Sequence, residues 1–328
     1  MRSPKNNGGG SSPAVSYIFW LFFLLSGVSA LIYEILWVRF FALSIGSTIY
    51  SASAVTAAYM GGLAIGAYMP GRYADRVASP LKYYAIFELL IGAYALLFMF
   101  FSGAIDAAGV SLSTIVSKFA FVIAVLIVPT LLMGATLPFV STAYVRIFRP
   151  ANKEFAVSLL YGINALGGVA GIFLAGFYLI FMFGNTVTTL IAVAGNVIVA
   201  SLAFLISSKA VKGAEETPAG GGAAFERERA LKSPASDDAS VRPKLYLFIN
   251  LAGFFVTGFC ALALEIVLAR LLVLIIGTST YAFSIILMAY ICGIPAGSIL
   301  IPLVIRRSPR MAAFGVVMML LATASIVT

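Results

Sequence analysis

Long apolar runs constrain this 328-residue sequence more than any other feature. Nine of them, separated by polar breaks, are expected as spans at 17–37, 48–69, 83–105, 115–144, 155–183, 185–206, 246–268, 279–305 and 311–328. Each approaches or exceeds the roughly 20 residues a helix needs to cross a bilayer core. In lipid only helices and closed barrels satisfy every backbone N–H and C=O, and runs without strict alternation are helical. The expected fold class is therefore an all-α polytopic membrane protein. A chain 62% hydrophobic and only 10% charged fits no ordinary soluble domain, where about 25% of residues are charged.

The chain has no histidine. That removes Ser-His-Asp and Cys-His nucleophile systems, imidazole metal sites and histidine proton relays. The two cysteines, Cys260 and Cys292, fall in apolar runs and read as small hydrophobes, without metal-ligand spacing. No catalytic residue, metal site or cofactor is expected.

Net charge is +9, from 21 Lys+Arg against 12 Asp+Glu. In a soluble protein this balance would raise nucleic acid as a partner; in a membrane protein it reports orientation. Loops on one side of the nine spans hold 18 of the 21 basic residues. The exceptions are Lys118, Arg39 and Arg270. The positive-inside rule then puts the N-terminus and linker in the cytoplasm, with the bilayer as partner and no nucleic acid. Residues 1–16, rich in Gly, Ser and Asn, are expected to be disordered, and 17–208 form a six-helix membrane half. Residues 209–243 read as a cytoplasmic linker, and 244–328 as three helices of a partial second half.

An internal repeat is the most informative pattern. A shift of 231 residues superposes 27–66 on 258–297 without a gap, with 15 identities in 40 positions. Matched pairs include Glu34 with Glu265, Arg39 with Arg270, Gly46 with Gly277, Tyr50 with Tyr281, Ser53 with Ser284, Tyr59 with Tyr290, Gly62 with Gly293 and Gly66 with Gly297. Six spans separate the copies, so the repeat is parallel, about an axis along the membrane normal.

Two six-span halves joined by a cytoplasmic linker resemble the plan of the major facilitator superfamily. The loop Gly71-Arg72-Tyr73-Ala74-Asp75-Arg76 resembles the signature of that superfamily between its second and third helices. The series continues from Leu31-Ile32-Tyr33-Glu34 and Trp37-Val38-Arg39 to Leu132-Met133-Gly134-Ala135-Thr136-Leu137-Pro138 and Tyr161-Gly162-Ile163-Asn164-Ala165-Leu166-Gly167. Together these residues are similar to the membrane portion of bacterial fused major facilitator/spermidine synthases, over the first eight spans. That resemblance implies a bacterial inner membrane and a link to polyamine metabolism. The aminopropyltransferase-like domain of those proteins has no counterpart in this sequence, so its enzymatic function is not carried over.

Ionisable residues inside spans mark candidate sites, because burying an unpaired charge costs roughly 2.5–3.5 kcal/mol even on lenient scales. Glu34 and Arg39, repeated as Glu265 and Arg270, are five positions apart, about 140° around a helix, so local pairing is poor. Reciprocal pairing of Glu34 with Arg270 and Glu265 with Arg39 is one expectation, placed near the external ends of spans one and seven. Arginines snorkelling to the headgroups over protonated or hydrated glutamates is the other. Glu88 either lines a cavity as a cation or proton site or pairs with Arg72, Arg76 or Lys82. Arg72, Asp75 and Arg76 read as a cytoplasmic latch. Tyr59, Tyr290, Ser53 and Ser284 either line a polar substrate path, where tyrosine faces suit an organic cation, or pack between helices. Gly62 with Gly66, Gly293 with Gly297 and Gly167 with Gly171 are small-xxx-small pairs that permit close helix approach.

Two functions fit this sequence. One is a transporter-like module handling a polyamine or another small organic cation. The other is a non-transporting anchor or interaction subunit for a separate aminopropyltransferase or larger membrane complex. A homo-oligomer is a further way to complete the partial second half.

Overall fold

The computed structural model describes residues 13–46, 48–215, 243–277 and 279–305, which are helical apart from short turns, with no strand among them. In chain order the helices are α1 (Pro13–Ile45), α2 (Thr48–Tyr68), α3 (Gly71–Ala74), α4 (Pro80–Phe100), α5 (Ser102–Ser111), α6 (Ile115–Phe148), α7 (Lys153–Phe173), α8 (Ile180–Glu215), α9 (Pro243–Ile276) and α10 (Ser279–Ile305). A π-helical segment, Leu174–Leu179, joins α7 to α8. Among the described residues, six stretches are long and apolar enough to cross a membrane: Ser16–Ile45, Tyr50–Ala74, Pro80–Phe100, Ile115–Phe148, Lys153–Ser208 and Leu251–Ile275. The protein is a helical membrane protein.

That count differs from nine for identifiable reasons. The expected fifth and sixth spans lie in one helical stretch, Lys153–Ser208, whose backbone leaves helical geometry at Gly184 (φ 72°, ψ 178°), a conformation open essentially to glycine alone. The expected eighth appears as a shorter apolar stretch, Tyr281–Gly297. The ninth, 311–328, lies outside the described residues, as do 1–12 and 216–242.

Side chains set the helix ends. Thr114 caps α6 by accepting from the Ser117 N–H at 3.1 Å, and Asn152 caps α7 by accepting from the Phe155 N–H at 2.9 Å. α4 begins with Pro80, whose missing N–H is tolerated in a first turn. Gly46 and Gly277, matched in the repeat, close α1 and α9 with nearly identical left-handed φ values of 78° and 79°.

α1 is the hub of the bundle, packed against α7, α8, α2 and α5. Glycines bring the backbones together. A Cβ at Gly167 or Gly171 of α7 would overlap the Leu24 or Val28 carbonyl of α1. At Gly62 or Gly66 of α2 it would overlap Thr130 or the Leu131 carbonyl of α6. Both pairs thus act as expected of small-xxx-small spacing. One buried cluster, at the end bearing the 71–79 loop, collects Phe19, Phe22, Tyr84, Phe139 and Tyr144. The other runs along α1 from Leu31 to Phe41. Into it α10 inserts Phe283, Leu287 and Ile291, spaced one turn apart.

Candidate functional site

α1 and α9 both extend well past the expected span ends. Glu34 therefore lies eleven residues before the end of α1, about 16 Å along the axis, and not one turn from it. Its side chain is 0% exposed. Glu265 is 1% exposed, and it is the one buried side chain on α9 among those described. An apolar helix has thus turned its carboxylate toward the protein and its hydrocarbon outward. Glu34 lies within electrostatic range of Glu265 and of the Tyr59 hydroxyl. Tyr290 lies within range of Glu265 and of Tyr161 from α7. One carboxylate and one tyrosine come from each repeat copy, and α7 supplies a third tyrosine.

The reciprocal ion pairs are not formed. Both oxygens of Glu34 and both of Glu265 are buried without a hydrogen-bond partner among the described residues, as is Nε of Arg39, while Arg270 is exposed. The five-residue offset explains this outcome: with the glutamates turned inward, the arginines point to another face of each helix. Of the expected path residues, Ser53 is partly buried, whereas Ser284 is fully buried. Ser284 packs against Gly176 of the π segment, where a Cβ would overlap its hydroxyl. The π turn is where α10 docks: Phe177 also meets Tyr281, with ring centroids 5.5 Å apart.

Glu88 of α4 belongs to a separate arrangement. Its expected partners Arg72, Arg76 and Lys82 are not the ones it meets. Ser26 of α1 donates to Oε1 at 2.6 Å, and Asn196 Nδ2 of α8 donates to Oε2 at 2.6 Å. Tyr33 of α1 donates in turn to Asn196 Oδ1 at 2.7 Å. The carboxylate is 0% exposed, and the buried Tyr84 hydroxyl lies beside it. Three helices are clasped by one carboxylate, in an arrangement distinct from the Glu34 and Glu265 pair.

The 71–79 loop is held against α6, and the residue that holds it is Arg146. Its guanidinium donates to the backbone carbonyls of Val77 at 2.7 Å and Asp75 at 2.6 Å. Asp75 Oδ1 accepts from Thr142 of α6 at 3.2 Å. Arg72 and Arg76 instead lie over the rings of Tyr68 and Tyr73, at 4.9 and 5.8 Å.

Sequence reasoning passed over Ser26, Tyr33, Asn196, Tyr161 and Arg146 as site residues. Asn196 carried a usable signal, since an amide inside an apolar span must find a partner. Asn164, which has no partner identifiable from sequence, donates to the Phe23 carbonyl at 3.0 Å and fastens α7 to α1. Comparison with protein-family models, curated proteins and solved structures finds no match to the chain.

Proposed function

We propose that this protein is a transporter-like membrane module that holds a small organic cation, of the polyamine class, between Glu34 and Glu265. The observation that carries the reading is the pair itself: two repeat-related carboxylates, one from each copy, both buried and without hydrogen-bond partners among the described residues. Carboxylates so placed gain most from a partner that brings positive charge and N–H donors together, as an alkylammonium does. Tyr59, Tyr290 and Tyr161 add ring faces and hydroxyls suited to the methylene chain and amine ends. The resemblance to the fused major facilitator/spermidine synthase proteins supports the polyamine class. In this reading the end of the bundle bearing the 71–79 loop faces the cytoplasm of a bacterial inner membrane.

Spermidine binding measured by calorimetry, together with spermidine uptake into proteoliposomes, tests the proposal. Glu34→Gln and Glu265→Gln should each weaken binding about tenfold or more, since each removes a charge-assisted contact of roughly 1.5–3 kcal/mol. A folded chain that neither binds nor moves spermidine sinks the reading. Capture of a separate aminopropyltransferase on the linker face would then favour the anchor. The apolar flank of α9, with Phe254, Phe255 and Phe259 exposed, is the observation on its side.

A further inference from the structure

The end of the bundle bearing the 71–79 loop presents more positive charge than its own carboxylates take up. Arg72, Arg76, Lys82, Arg146, Arg149 and Lys153 are all exposed there, against Asp75 and Glu154. Asp75 is turned to α6: its carboxylate accepts from Thr142, and its backbone carbonyl accepts from Arg146. Arg72 and Arg76 lie over the Tyr68 and Tyr73 rings, and neither pairs with a carboxylate among the described residues. An arginine can rest on a ring face and still offer its N–H fork to a phosphate, because the donors lie at the edge of the guanidinium plane.

The second observation is what adjoins these two cations. α2 runs into the loop through near-helical turns, with the Met69 N–H donating to the Ile65 carbonyl at 2.8 Å and the Tyr73 N–H to the Pro70 carbonyl at 2.9 Å. Ile65, Met69, Arg72 and Arg76 therefore follow one another at helical spacing, and Tyr68 adjoins Arg72 on the same stripe. Ile65, Tyr68 and Met69 are large apolar side chains left exposed. An exposed apolar strip thus leads directly to two guanidinium groups without a carboxylate, at the end of a membrane-spanning stretch. We propose that this stripe seats one anionic phospholipid, its phosphate held by Arg72 and Arg76 and an acyl chain laid along Met69, Tyr68 and Ile65. Hydrogen bonds from Arg146 to the Val77 and Asp75 carbonyls fix the loop on α6, so the arginines are positioned before the lipid arrives. The apolar strip selects a lipid over a free phosphate, and the surplus of cations selects an anionic headgroup over a zwitterionic one. The seat does not depend on any cation being held between Glu34 and Glu265.

Native mass spectrometry of the whole chain, purified in mild detergent and mixed with equal amounts of phosphatidylglycerol and phosphatidylcholine of identical acyl chains, tests the proposal. One phosphatidylglycerol should be retained about tenfold or more over phosphatidylcholine. Arg72→Gln and Arg76→Gln should each cut that preference about fivefold, and the double variant should lose it. Lys118→Gln should leave it unchanged, because Lys118 lies at the other end of the bundle, donating to the Ile45 carbonyl. Glycerol phosphate, which carries the charge without the chains, should fail to displace the lipid. The proposal is overturned if the two lipids are retained alike, if the folded double variant keeps the preference, or if Lys118→Gln lowers it equally. It is also overturned if glycerol phosphate competes as well as the lipid does, which would make this a site for a soluble phosphate.

Discussion

The two copies of the repeat share 15 of 40 residues and the same left-handed glycine ends, yet they occupy opposite environments. In α1, 72% of an 18-residue apolar window is buried within the protein; in α9 the figure is 11%. α1 is surrounded by α2, α5, α7 and α8, while α9 packs mainly on α10. The same spacing that joins α2 to α6 through Gly62 leaves Gly293 with nothing within contact distance among the described residues. Ser26 donates to Glu88, but its positional counterpart Thr257 is half-buried and returns its hydroxyl to its own helix at Gly253. Shared sequence therefore does not impose shared burial; neighbouring helices do. What survives in both copies is the inward glutamate, and this is the feature that singles out Glu34 and Glu265 as the candidate site.

The comparison breaks most directly at the glycines. Gly62→Ala should cost about 2–3 kcal/mol, because the new methyl meets Thr130, a β-branched residue whose hydroxyl already donates to the Leu126 carbonyl at 2.7 Å. Gly293→Ala should be neutral or stabilising by up to about 1 kcal/mol, from helix propensity alone. Thermal unfolding followed by circular dichroism in lipid separates the two, and equal effects would erase the proposed difference between the copies. In the same assay Ser26→Ala should cost roughly 1.5–3 kcal/mol by taking a donor from a buried carboxylate. Thr257→Ala should stay within about 0.5 kcal/mol. Smallest is the effect of the tyrosine hydroxyls on the proposed binding. Tyr59→Phe and Tyr290→Phe should each raise the spermidine Kd by roughly two- to tenfold in calorimetry. A change confined to Tyr59→Phe would assign the site to the first copy alone.

Much of the architecture was legible before any coordinate. Unbroken apolar runs dictate helices in lipid, and Gly62, Gly66, Gly167 and Gly171 announced two of the closest helix contacts. The site was legible as a set of residues but not as a set of bonds. Glu34 and Glu265 stand out in any reading of the spans, yet their arginines looked like partners near the external surface only because both span ends were drawn eight residues short of the helix ends, at 37 against Ile45 and at 268 against Ile276. Glu88 misled in the same way. Its basic neighbours in sequence belong to the adjoining loop, whereas its donors come from α1 and α8, 62 and 108 positions away.

By itself, then, the sequence determined the solvent, the helices and the repeat, because hydropathy and the need to satisfy each backbone group act along the chain and require no knowledge of neighbours. Partners were decided only by the tertiary structure. A carboxylate bonds to whichever donor the packing brings within about 3 Å, and that choice depends on helix rotation and on which backbones glycine lets approach. Glu34 and its repeat-mate Glu265 were therefore visible from the start, while their isolation from hydrogen-bond donors among the described residues, and the enclosure of Glu88 by Ser26 and Asn196, became visible only when the helices were assembled.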